Sequence, residues 1–363
     1  MCKKILFIID DLGRGGAEKI TVELANFLSD AGNDITLAVL NTSTQEQQPR
    51  TRIKLIDLEI RSDYAFGKLW KKKTLNSEEK NRINKMLNST QYELVILGHH
   101  NGYYLYDELN QKNIWHWIHA ELIEFRPSSN YLKLLKEYLR QLRHKNSFKK
   151  VFNAKNIITV NRNLSDRYSN LVPNSNFTTI SNGVIPPLFI NTNIEKKWDT
   201  IFVGRLVAIK QVDHAIKAFI YSNLPGNMAI IGDGPEKNRL MNLVEELGYK
   251  DRIKFLGWID EPKLYMLESR SLIMSSYYEG SPVTIAEAIS LNIPVISYNS
   301  SSGINDLFTE SFKERCLAQK QNINELGLKL FDIVNTPFHF DQESLDLVSI
   351  DRMAKKFIGL TQK

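Results

Sequence analysis

The segment Tyr277–Ala288 combines a carboxylate, a glycine and a predicted helix start within a few residues. Ser281 is a favourable N-cap residue and Pro282 suits the first position of a helix, so the pattern predicts a helix that begins here after a short buried strand. Gly280 lets the backbone approach a ligand closely, and the positive end of the helix dipole favours a negatively charged ligand. With Glu279 just before the helix, the segment predicts a site for an anionic group beside a carboxylate.

Glu287 lies about a turn and a half inside the same predicted helix, within the apolar sequence Ile285–Ile289. A carboxylate among apolar neighbours costs free energy unless a hydroxyl or a cation is its partner. The sequence therefore predicts that Glu287 is buried and binds such a group. The alternative is that Glu287 faces solvent, as most glutamates do.

Two cations follow the predicted strand Thr200–Val203: Arg205 comes almost directly after it and Lys210 five residues later. Open parallel sheets bind ligands at the carboxyl ends of their strands. The planar fork of an arginine and the point charge of a lysine both suit phosphate oxygens. The pair therefore predicts phosphate binding, and the alternative is a solvated basic pair on a loop.

Gly13, Gly15 and Gly16 lie between a predicted strand at Lys4–Ile9 and a predicted helix. Such a loop suits an anion at the helix N-terminus, but Glu18 stands where the dinucleotide fingerprint Gly-x-Gly-x-x-Gly needs its last glycine. This departure argues against a nicotinamide-dependent dehydrogenase. An ordinary tight turn is the alternative interpretation.

Three histidines follow predicted strands: His99 and His100 come after Leu94–Leu97, and His119 comes after Ile114–Ile118. We expect them at the edge of the sheet where ligands bind, although a structural histidine with satisfied hydrogen bonds is the commoner outcome for any one of them. The chain has no His-x-x-x-His or Asp-x-Asp pattern, so no metal site is predicted.

Short apolar runs alternate with helical or polar segments along the chain, which is the pattern of a doubly wound α/β protein. A length of 363 residues exceeds what one core usually organises. We therefore expect a first domain at 1–172, a linker rich in turns at 173–198 and a second domain at 199–344. A C-terminal helix at about 345–363 could pack back onto the first domain.

The composition is that of a globular protein, with 42 % apolar and 24 % charged residues. Cys2 and Cys316 cannot form a disulfide framework or a cysteine-rich zinc site. No apolar run suits a secretory signal or a membrane-spanning helix. We expect a cytoplasmic protein, either free or peripheral on the inner face of the cytoplasmic membrane.

The segment Tyr131–Lys150 contains seven cations and one anion, Glu137. Its net charge of +6 is equal to the net charge of the whole chain. Its apolar residues recur at helical spacing, so it predicts an amphipathic helix. We expect the apolar stripe to pack on its own domain and the basic face to be solvated or to meet an anionic membrane surface. No nucleic-acid partner is expected, because the chain lacks the interleaved exposed aromatics of a nucleic-acid-binding module. A second basic cluster follows nearby at Lys68, Lys71, Lys72 and Lys73.

The order and spacing of five motifs closely resemble the retaining glycosyltransferase family 4, whose members have the GT-B fold. The motifs are Gly15-Gly16-Ala17-Glu18, Ser181-Asn182-Gly183-Val184, Gly204-Arg205-Leu206 with Lys210, Gly232-Asp233-Gly234-Pro235, and Glu279 with Glu287. The resemblance covers nearly the whole chain and is strongest over Asp199–Phe308. It implies two Rossmann-like, doubly wound domains that face a central cleft.

The resemblance implies that the chain is an enzyme that transfers a sugar from a nucleotide-diphosphate sugar, with UDP or GDP as the nucleotide. The transferred group would be a hexosyl or N-acetylhexosaminyl unit, and the anomeric configuration would be retained. The acceptor would be a glycan or lipid-linked glycan in capsule, lipopolysaccharide, O-antigen or exopolysaccharide synthesis. No cofactor or essential metal is implied, because the nucleotide sugar is a substrate.

The resemblance also implies roles for single residues. Arg205 and Lys210 would hold the donor diphosphate, Glu279 would contact the transferred sugar, and His119 would lie near the reacting centre. Glu287 would bind the ribose hydroxyls. The full donor-binding set is Gly16, Arg205, Lys210, Gly257, Trp258, Glu279, Gly280, Ser281, Val283, Thr284 and Glu287.

Two departures from the family pattern and two alternative functions remain. Ser281-Pro282 replaces the commoner Phe-Gly, and Ile185 stands where many relatives have an acidic residue. A nucleotide-sugar epimerase of the same fold would release free sugar without an acceptor. A non-enzymatic basic protein that binds nucleic acid would show strongly salt-dependent binding to DNA and no affinity for nucleotide sugars.

Overall fold

The computed structural model describes residues 2–13, 15–42, 47–60, 70, 74–123, 131–187 and 194–362. The second basic cluster, which consists of Lys68, Lys71, Lys72 and Lys73, lies outside the described residues. The chain divides into two units. The N-terminal unit comprises Met1–Ser181 and Met353–Lys363, and the C-terminal unit comprises Asn182–Arg352. The division falls within the segment 173–198, which also contains a short strand described below.

The N-terminal unit is built around a parallel sheet. Its strands are β1 (Lys4–Ile9), β2 (Asp34–Val39), β3 (Lys54–Asp57), β4 (Leu94–Gly98), β5 (Ile114–Ile118), β6 (Asn156–Thr159) and β7 (Asn176–Thr179). Seven strands lie in the order β3-β2-β1-β4-β5-β6-β7. Its helices are α1 (Gly16–Asp30), α2 (Ser77–Met86), α3 (Tyr131–Phe152) and α4 (Arg162–Ser169), with a 3₁₀ turn at Gly102–Glu108.

The C-terminal unit repeats this architecture with a parallel sheet of its own. Its strands are β8 (Thr200–Val203), β9 (Met228–Ile231), β10 (Ile253–Gly257), β11 (Leu272–Met274), β12 (Val295–Tyr298) and β13 (Leu317–Ala318). Six strands lie in the order β10-β9-β8-β11-β12-β13. Its helices are α5 (Val212–Ser222), α6 (Lys237–Glu246), α7 (Lys263–Leu267), α8 (Val283–Ser290), α9 (Ser302–Asn305), α10 (Glu310–Cys316), α11 (Ile323–Asn335) and α12 (Gln342–Leu347), with a 3₁₀ turn at Ala208–Lys210.

A last helix, α13 (Ile350–Gly359), contributes residues from Met353 onward to the N-terminal unit. The Phe357 ring lies 4.9 Å from the Trp117 ring and 6.4 Å from the Phe7 ring, measured between centroids. Phe357 is fully buried. The end of the chain therefore contributes to the core beneath β1 and β5.

Apolar strands produce both sheets. Residues 5–9 of β1 are all buried, as are all residues of β4, β5, β9 and β11. Strands buried on both faces are typical of parallel sheets covered by helices on each side. The prediction of two doubly wound α/β domains is confirmed.

Each sheet has a point where the chain order reverses, between β1 and β4 in the N-terminal unit and between β8 and β11 in the C-terminal unit. In open α/β sheets, ligands bind outside the carboxyl ends of strands at this point. The loop after β1 leads into Gly16 at the start of α1, and the loops after β4 and β5 contain the three histidines. The loops after β8, β10 and β11 contain Arg205, Trp258 and Glu279.

The expectation that the apolar stripe of α3 packs on its own domain is wrong. Tyr131, Leu135, Tyr138 and Leu142 are each more than 40 % exposed. The helix instead contacts the unit through its other side, where Glu137, Phe148 and Phe152 are buried. None of the described helices is long and apolar enough to cross a membrane.

Candidate functional site

A carboxylate–lysine cluster, which consists of Lys210, Ser276 and Glu279, forms where the loops after β8 and β11 meet. The Lys210 Nζ atom lies 2.5 Å from Glu279 Oε1, and Ser276 Oγ donates a hydrogen bond to the same oxygen, also at 2.5 Å. Both charged side chains are largely buried, with 20 % and 12 % of their surface exposed. Such pairing offsets much of the cost of removing two charges from water. The two segments are 69 residues apart in sequence.

The backbone at Lys210 is held in place by the side chain of Ser275. Ser275 Oγ lies 3.0 Å from the carbonyl oxygen of Lys210 and 2.7 Å from that of Gln211. Gln211 adopts a left-handed conformation with φ of 44° between the 3₁₀ turn and α5. A non-glycine residue in this region is uncommon and is strained unless its surroundings hold it. Ser275, directly after β11, supplies that support and fixes the position of the lysine.

The loop with Arg205 lies directly on the Gly-Asp-Gly turn after β9. A Cβ atom on Gly232 would lie 1.9 Å from the Gly204 carbonyl oxygen, and one on Gly234 would lie 2.4 Å from that of Leu206. Leu206 N–H also donates to the Asp233 carbonyl at 2.8 Å. Glycines are required here because the two loops touch through their backbones. The Arg205 side chain is exposed and has no hydrogen-bond or ion-pair partner among the described residues.

The start of α8 lies one residue later than predicted. The N-cap residue is Pro282, without a side-chain cap, and the helix begins at Val283. Ser281, predicted as the N-cap, is buried, and its Oγ atom accepts a hydrogen bond from the Asn182 N–H at 3.1 Å. The Asn182 side-chain amide also donates to the Ser281 carbonyl at 3.0 Å. No side chain caps the helix, and its first N–H groups, including that of Thr284, have no acceptor inside the helix.

Glu287 is buried in α8, with 6 % of its surface exposed, between Ala286 and Ala288. The alternative that Glu287 faces solvent is therefore wrong. Ile285 and Ile289 on the same helix belong to the core between α8 and the sheet. The role in ribose binding that the resemblance implies for Glu287 stays a prediction.

The residues after Glu279 are held by a segment that the sequence did not single out. Ser301 Oγ donates to the Glu279 carbonyl at 2.8 Å. A Cβ atom on Gly303 would lie 1.8 Å from the Gly280 carbonyl oxygen, so α9 packs directly against this loop. The short sequence Ser301–Gly303 after β12 was the only available signal, and small residues after a strand are too common to be informative.

Gly257 is the last residue of β10, and Trp258 follows it directly. Gly257 has a φ of 75°, and the pairing of β10 with β9 is irregular between Phe255 and Gly257. The Trp258 ring is 44 % exposed, and its Nε1–H donates to Asp260 Oδ1 at 2.8 Å. An exposed aromatic ring at the carboxyl edge of a parallel sheet can stack on a planar ligand.

In the N-terminal unit, a buried carboxylate organises the loop after β4. Asp10 accepts hydrogen bonds from the Asn101 and Gly102 backbone N–H groups, both at 3.0 Å, and from the Asn101 side chain at 2.8 Å. Burial raises the pKa of Asp10 above its usual value, although His99 and these hydrogen bonds oppose the shift. Asp10 therefore links the end of β1 to the loop that contains His99.

A histidine cluster, which consists of Glu18, His99 and His119, lies at the same edge. His99 Nε2 is 3.3 Å from Glu18 Oε1, and His99 has a left-handed φ of 64°. Burial alone would raise the pKa of Glu18, but the hydrogen bond and charge of His99 lower it overall. Burial alone would lower the pKa of His99, but Glu18 and Asp10 raise it overall. The two groups therefore favour an ion pair.

Glu18 also explains why the loop before α1 needs a glycine. A Cβ atom on Gly15 would lie 1.9 Å from Glu18 Oε2, so the carboxylate folds back over the N-cap residue. This buried oxygen has no hydrogen-bond partner among the described residues. At Gly16, by contrast, a Cβ atom would meet nothing within 4 Å. The space beside Gly16 is open to a ligand.

His119 is half-buried, but both of its ring nitrogens are buried and have no hydrogen-bond partner among the described residues. Its ring centroid lies 4.1 Å from that of Trp117 and 6.4 Å from that of His99. Burial, with His99 and His100, lowers the pKa of His119 well below its usual value, so the imidazole is neutral at pH 7. A neutral imidazole has one donor and one acceptor, which suits a hydroxyl group.

The described part of the chain contains no group of three or more His, Cys, Asp or Glu side chains placed to hold a metal ion. Arg205 and Lys210 are two cations that follow β8 in the C-terminal unit.

Comparisons with known proteins agree with this architecture. Residues 187–343 match the family model described as "Glycosyl transferases group 1". An uncharacterised glycosyltransferase of Haemophilus influenzae is 25 % identical over 349 residues, which cover 92 % of this chain and 91 % of the relative. The lipopolysaccharide 1,6-galactosyltransferase of Salmonella typhimurium is 28 % identical over 138 residues, or 36 % of this chain and 37 % of that protein.

The solved structures include TarM of S. aureus in complex with Fondaparinux, alpha-GlcNAc-glycerol and UDP, which matches with a TM-score of 0.70 and 14 % identity. The match covers 99 % of this chain and 100 % of that chain. This chain is a group 1 glycosyltransferase of family 4 with the GT-B fold. It is thus an enzyme that transfers a glycosyl group from a nucleotide sugar.

Proposed function

We propose that the chain transfers a hexosyl or N-acetylhexosaminyl group, with retention of configuration, from a UDP- or GDP-sugar to a glycan or lipid-linked acceptor of a bacterial surface polysaccharide. The observation that carries the proposal is the carboxylate–lysine cluster, together with the exposed Arg205 and the uncapped start of α8 in the segments that follow β8 and β11. The relatives support the product class, since one of them is a lipopolysaccharide 1,6-galactosyltransferase.

The donor diphosphate binds to Arg205, Lys210 and the first N–H groups of α8, at Val283 and Thr284. Negative charge grows on the diphosphate as the bond to the sugar breaks. Preorganised cations and helix N–H groups stabilise that charge without further reorganisation. The Ser275 contacts support this role because they hold the Lys210 backbone in place before the donor binds.

Glu279 binds hydroxyls of the transferred sugar and remains paired with Lys210, while Gly280 and Ser281 allow the backbone to approach it. Glu287 binds the ribose, and the base lies near Gly257 and Trp258. The exposed Trp258 ring supports the last assignment. The structure with UDP that matches this chain contains the same class of ligand, which supports a diphosphate donor.

In the N-terminal unit, His119 binds a hydroxyl of the reacting sugar as a neutral donor or acceptor, and Gly16 lets a phosphate come close to the backbone. The two unpartnered nitrogens of His119 support this role, because a buried polar atom without a partner costs free energy that a ligand can recover.

Two assays test the proposal. Nucleotide sugars are first screened by thermal shift, and the stabilising donors are then incubated with extracted lipid-linked acceptors. We expect nucleoside diphosphate to appear together with a glycosylated acceptor, whose anomeric configuration matches that of the donor by NMR. Release of free sugar from the donor without any acceptor would instead indicate the epimerase, and salt-dependent DNA binding without nucleotide-sugar affinity would indicate the nucleic-acid-binding protein.

A further inference from the structure

Helix α3 has an apolar stripe, which consists of Tyr131, Leu135, Tyr138 and Leu142. These residues follow one another at i, i+4, i+7 and i+11, so they share one face of the helix over about 16 Å. They are between 41 % and 77 % exposed. Leu132, Leu134 and Leu139 flank the stripe and are also exposed. Exposed apolar patches of this kind mark surfaces that meet a protein or a membrane.

A different side of α3 holds the helix on its own unit. Phe148 and Phe152 are fully buried, and the Phe148 ring packs 4.4 Å from the Tyr168 ring of α4. Glu137 is also on the buried side. The helix is therefore anchored chiefly through its last turns, and its first three turns present the apolar stripe outward.

The charge of α3 decides between the occupants that could cover this stripe. Glu137 is its one acidic residue, and it pairs with Arg140 through a hydrogen bond of 2.8 Å from the guanidinium Nε. Other cations of the helix have no ion-pair partner among the described residues; they are Lys136, Arg143, Lys145, Lys149 and Lys150. A second copy of the helix would bring like charges together, which disfavours a dimer through this face.

The cations also lie where a lipid surface would use them. Lys145 and Lys149 continue the line of the apolar stripe at i+14 and i+18, one to two turns toward the C-terminus. Lys136 and Arg143 each lie one turn after a flanking leucine, Leu132 and Leu139, at the edge of the apolar face. Lysine and arginine side chains can extend their charged ends to phosphate groups while their stems cover apolar surface. A helix with this arrangement lies in the plane of a membrane interface.

We propose that the first three turns of α3 insert the apolar stripe into the interface of a bilayer that contains anionic lipids, with the flanking cations on the lipid phosphates. This inference concerns where the enzyme works and does not rest on the proposed donor or acceptor. It differs from a purely electrostatic contact, because the apolar stripe contributes to binding and salt alone releases only part of the bound protein.

Vesicle co-sedimentation of the full chain tests the proposal. One vesicle contains phosphatidylglycerol and phosphatidylcholine in equal parts, and the other contains phosphatidylcholine alone. We expect the wild-type chain to pellet with the anionic vesicles and to remain largely in solution with the neutral ones. Wild-type protein that stays in solution with anionic vesicles at low salt would overturn the proposal.

Two variants separate the apolar contribution from the charge contribution. Leu135→Ser/Leu139→Ser/Leu142→Ser should lower the vesicle affinity at least about tenfold, because these side chains supply the inserted surface. Lys136→Gln/Arg143→Gln should lower it by about tenfold or more on anionic vesicles only. All five side chains are exposed or have no described partner, so both variants should keep the melting temperature and donor affinity of the wild type.

Matched controls are available on the C-terminal unit. Leu328→Ser/Phe331→Ser removes two exposed apolar side chains of α11, and Lys217→Gln/Lys254→Gln removes two exposed lysines. Both controls should bind anionic vesicles as the wild type does. Two results would contradict the proposal: equal binding by the apolar-stripe variant, or a wild-type dimer in analytical ultracentrifugation that the same variant converts to a monomer.

Discussion

The carboxylate–lysine cluster of the C-terminal unit and the histidine cluster of the N-terminal unit occupy equivalent edges of their sheets but differ in how their polar atoms are satisfied. The ammonium of Lys210 and the hydroxyl of Ser276 both contact Glu279 Oε1. In the histidine cluster, by contrast, Glu18 Oε2 and both ring nitrogens of His119 are buried without a partner among the described residues.

This difference indicates two kinds of ligand contact. The paired charges around Lys210, together with the exposed Arg205, are arranged before any ligand binds, which suits a diphosphate. Unsatisfied buried atoms each cost about 1–3 kcal/mol, and a ligand rich in neutral hydroxyls would remove that cost. The comparison therefore supports the proposal that the C-terminal unit stabilises charge and the N-terminal unit recognises hydroxyl groups.

The largest expected effect comes from the two cations. Arg205→Ala and Lys210→Ala should each lower turnover about a hundredfold or more, because such contacts to a leaving group contribute about 3 kcal/mol. Release of nucleoside diphosphate with the acceptor present measures the effect. Lys217→Ala on α5 is the matched control, since this lysine is exposed and outside the cluster. If both variants turned over as fast as the wild type, neither Arg205 nor Lys210 would belong to the donor site.

The histidine cluster should respond less strongly. His119→Ala should lower kcat/KM about tenfold, which corresponds to one hydrogen bond, and His119→Gln should recover part of the loss. Because the lowered pKa of His119 keeps it neutral, the pH profile of kcat/KM should not contain a step from this residue. A step between about pH 6 and 8 that disappears in His119→Gln would contradict the assignment.

A smaller effect is expected at Gly16, where the structure leaves room for a methyl group. Gly16→Ala should keep the melting temperature but raise KM for the nucleotide sugar, because the added Cβ occupies space that a ligand would use. Gly359→Ala, which also meets nothing within 4 Å, is the control for both readouts. An unchanged KM in Gly16→Ala would show that no ligand comes close to this position.

The Glu18–His99 pair predicts a pH dependence of stability. The pKa of Glu18 is below its usual 4.5, so its contribution is present above pH 4.5 and is lost as the pH falls through the folded value. The pKa of His99 is above its usual 6.5, so its contribution is present below pH 6.5 and is lost as the pH rises through the folded value. Glu18→Gln should therefore lower the melting temperature most between pH 4.5 and 6.5.

Glu23→Gln, on the same helix, is the control for this measurement. Its difference from the wild type should vary little over the same pH range. A Glu18→Gln difference that is the same at pH 5 and pH 9 would mean that the pair contributes no ionic stabilisation.

No effect is expected from chelation. The cations of the C-terminal unit and the start of α8 should meet the diphosphate charge, so transfer should continue in EDTA. The control is a known metal-dependent glycosyltransferase in the same buffer, which EDTA should inactivate. Complete loss of transfer by this chain, with recovery on addition of Mn²⁺ or Mg²⁺, would contradict the proposed handling of charge.

The sequence predicted the fold well because the strands are apolar on both faces. Lys4–Ile9, Ile114–Ile118 and Thr200–Val203 were predicted with the bounds that the structure has. β7 was not predicted as a strand, because its sequence Asn-Phe-Thr-Thr is polar and its residues are only partly buried at the sheet edge.

The individual site residues were predictable from their motifs, whereas their contacts were not. Motif spacing singled out Lys210 and Glu279, but their pairing joins segments far apart in sequence and depends on the order of β8 and β11. Ser276, Ser301 and the close approach of Gly303 had no distinctive local pattern.

The two incorrect expectations have a common cause. Ser281 has a strong N-cap preference, but its hydroxyl accepts a hydrogen bond from the Asn182 N–H, so the tertiary contact overrides the local preference. The apolar stripe of α3 has the periodicity of a buried helix face, yet the structure leaves it exposed. Periodicity identifies the apolar face of a helix but does not identify what covers it.

The central claim is that the C-terminal unit binds the donor through its diphosphate. Isothermal titration of the full chain with nucleoside mono- and diphosphates tests it most directly, with Arg205→Ala/Lys210→Ala as the variant and Lys217→Ala as the control. The wild type and the control should bind UDP or GDP at least about tenfold more tightly than the monophosphate, since a second phosphate adds charge-assisted contacts. The double variant should lose this preference and retain the monophosphate affinity. A double variant that still prefers the diphosphate to the same extent would contradict the account.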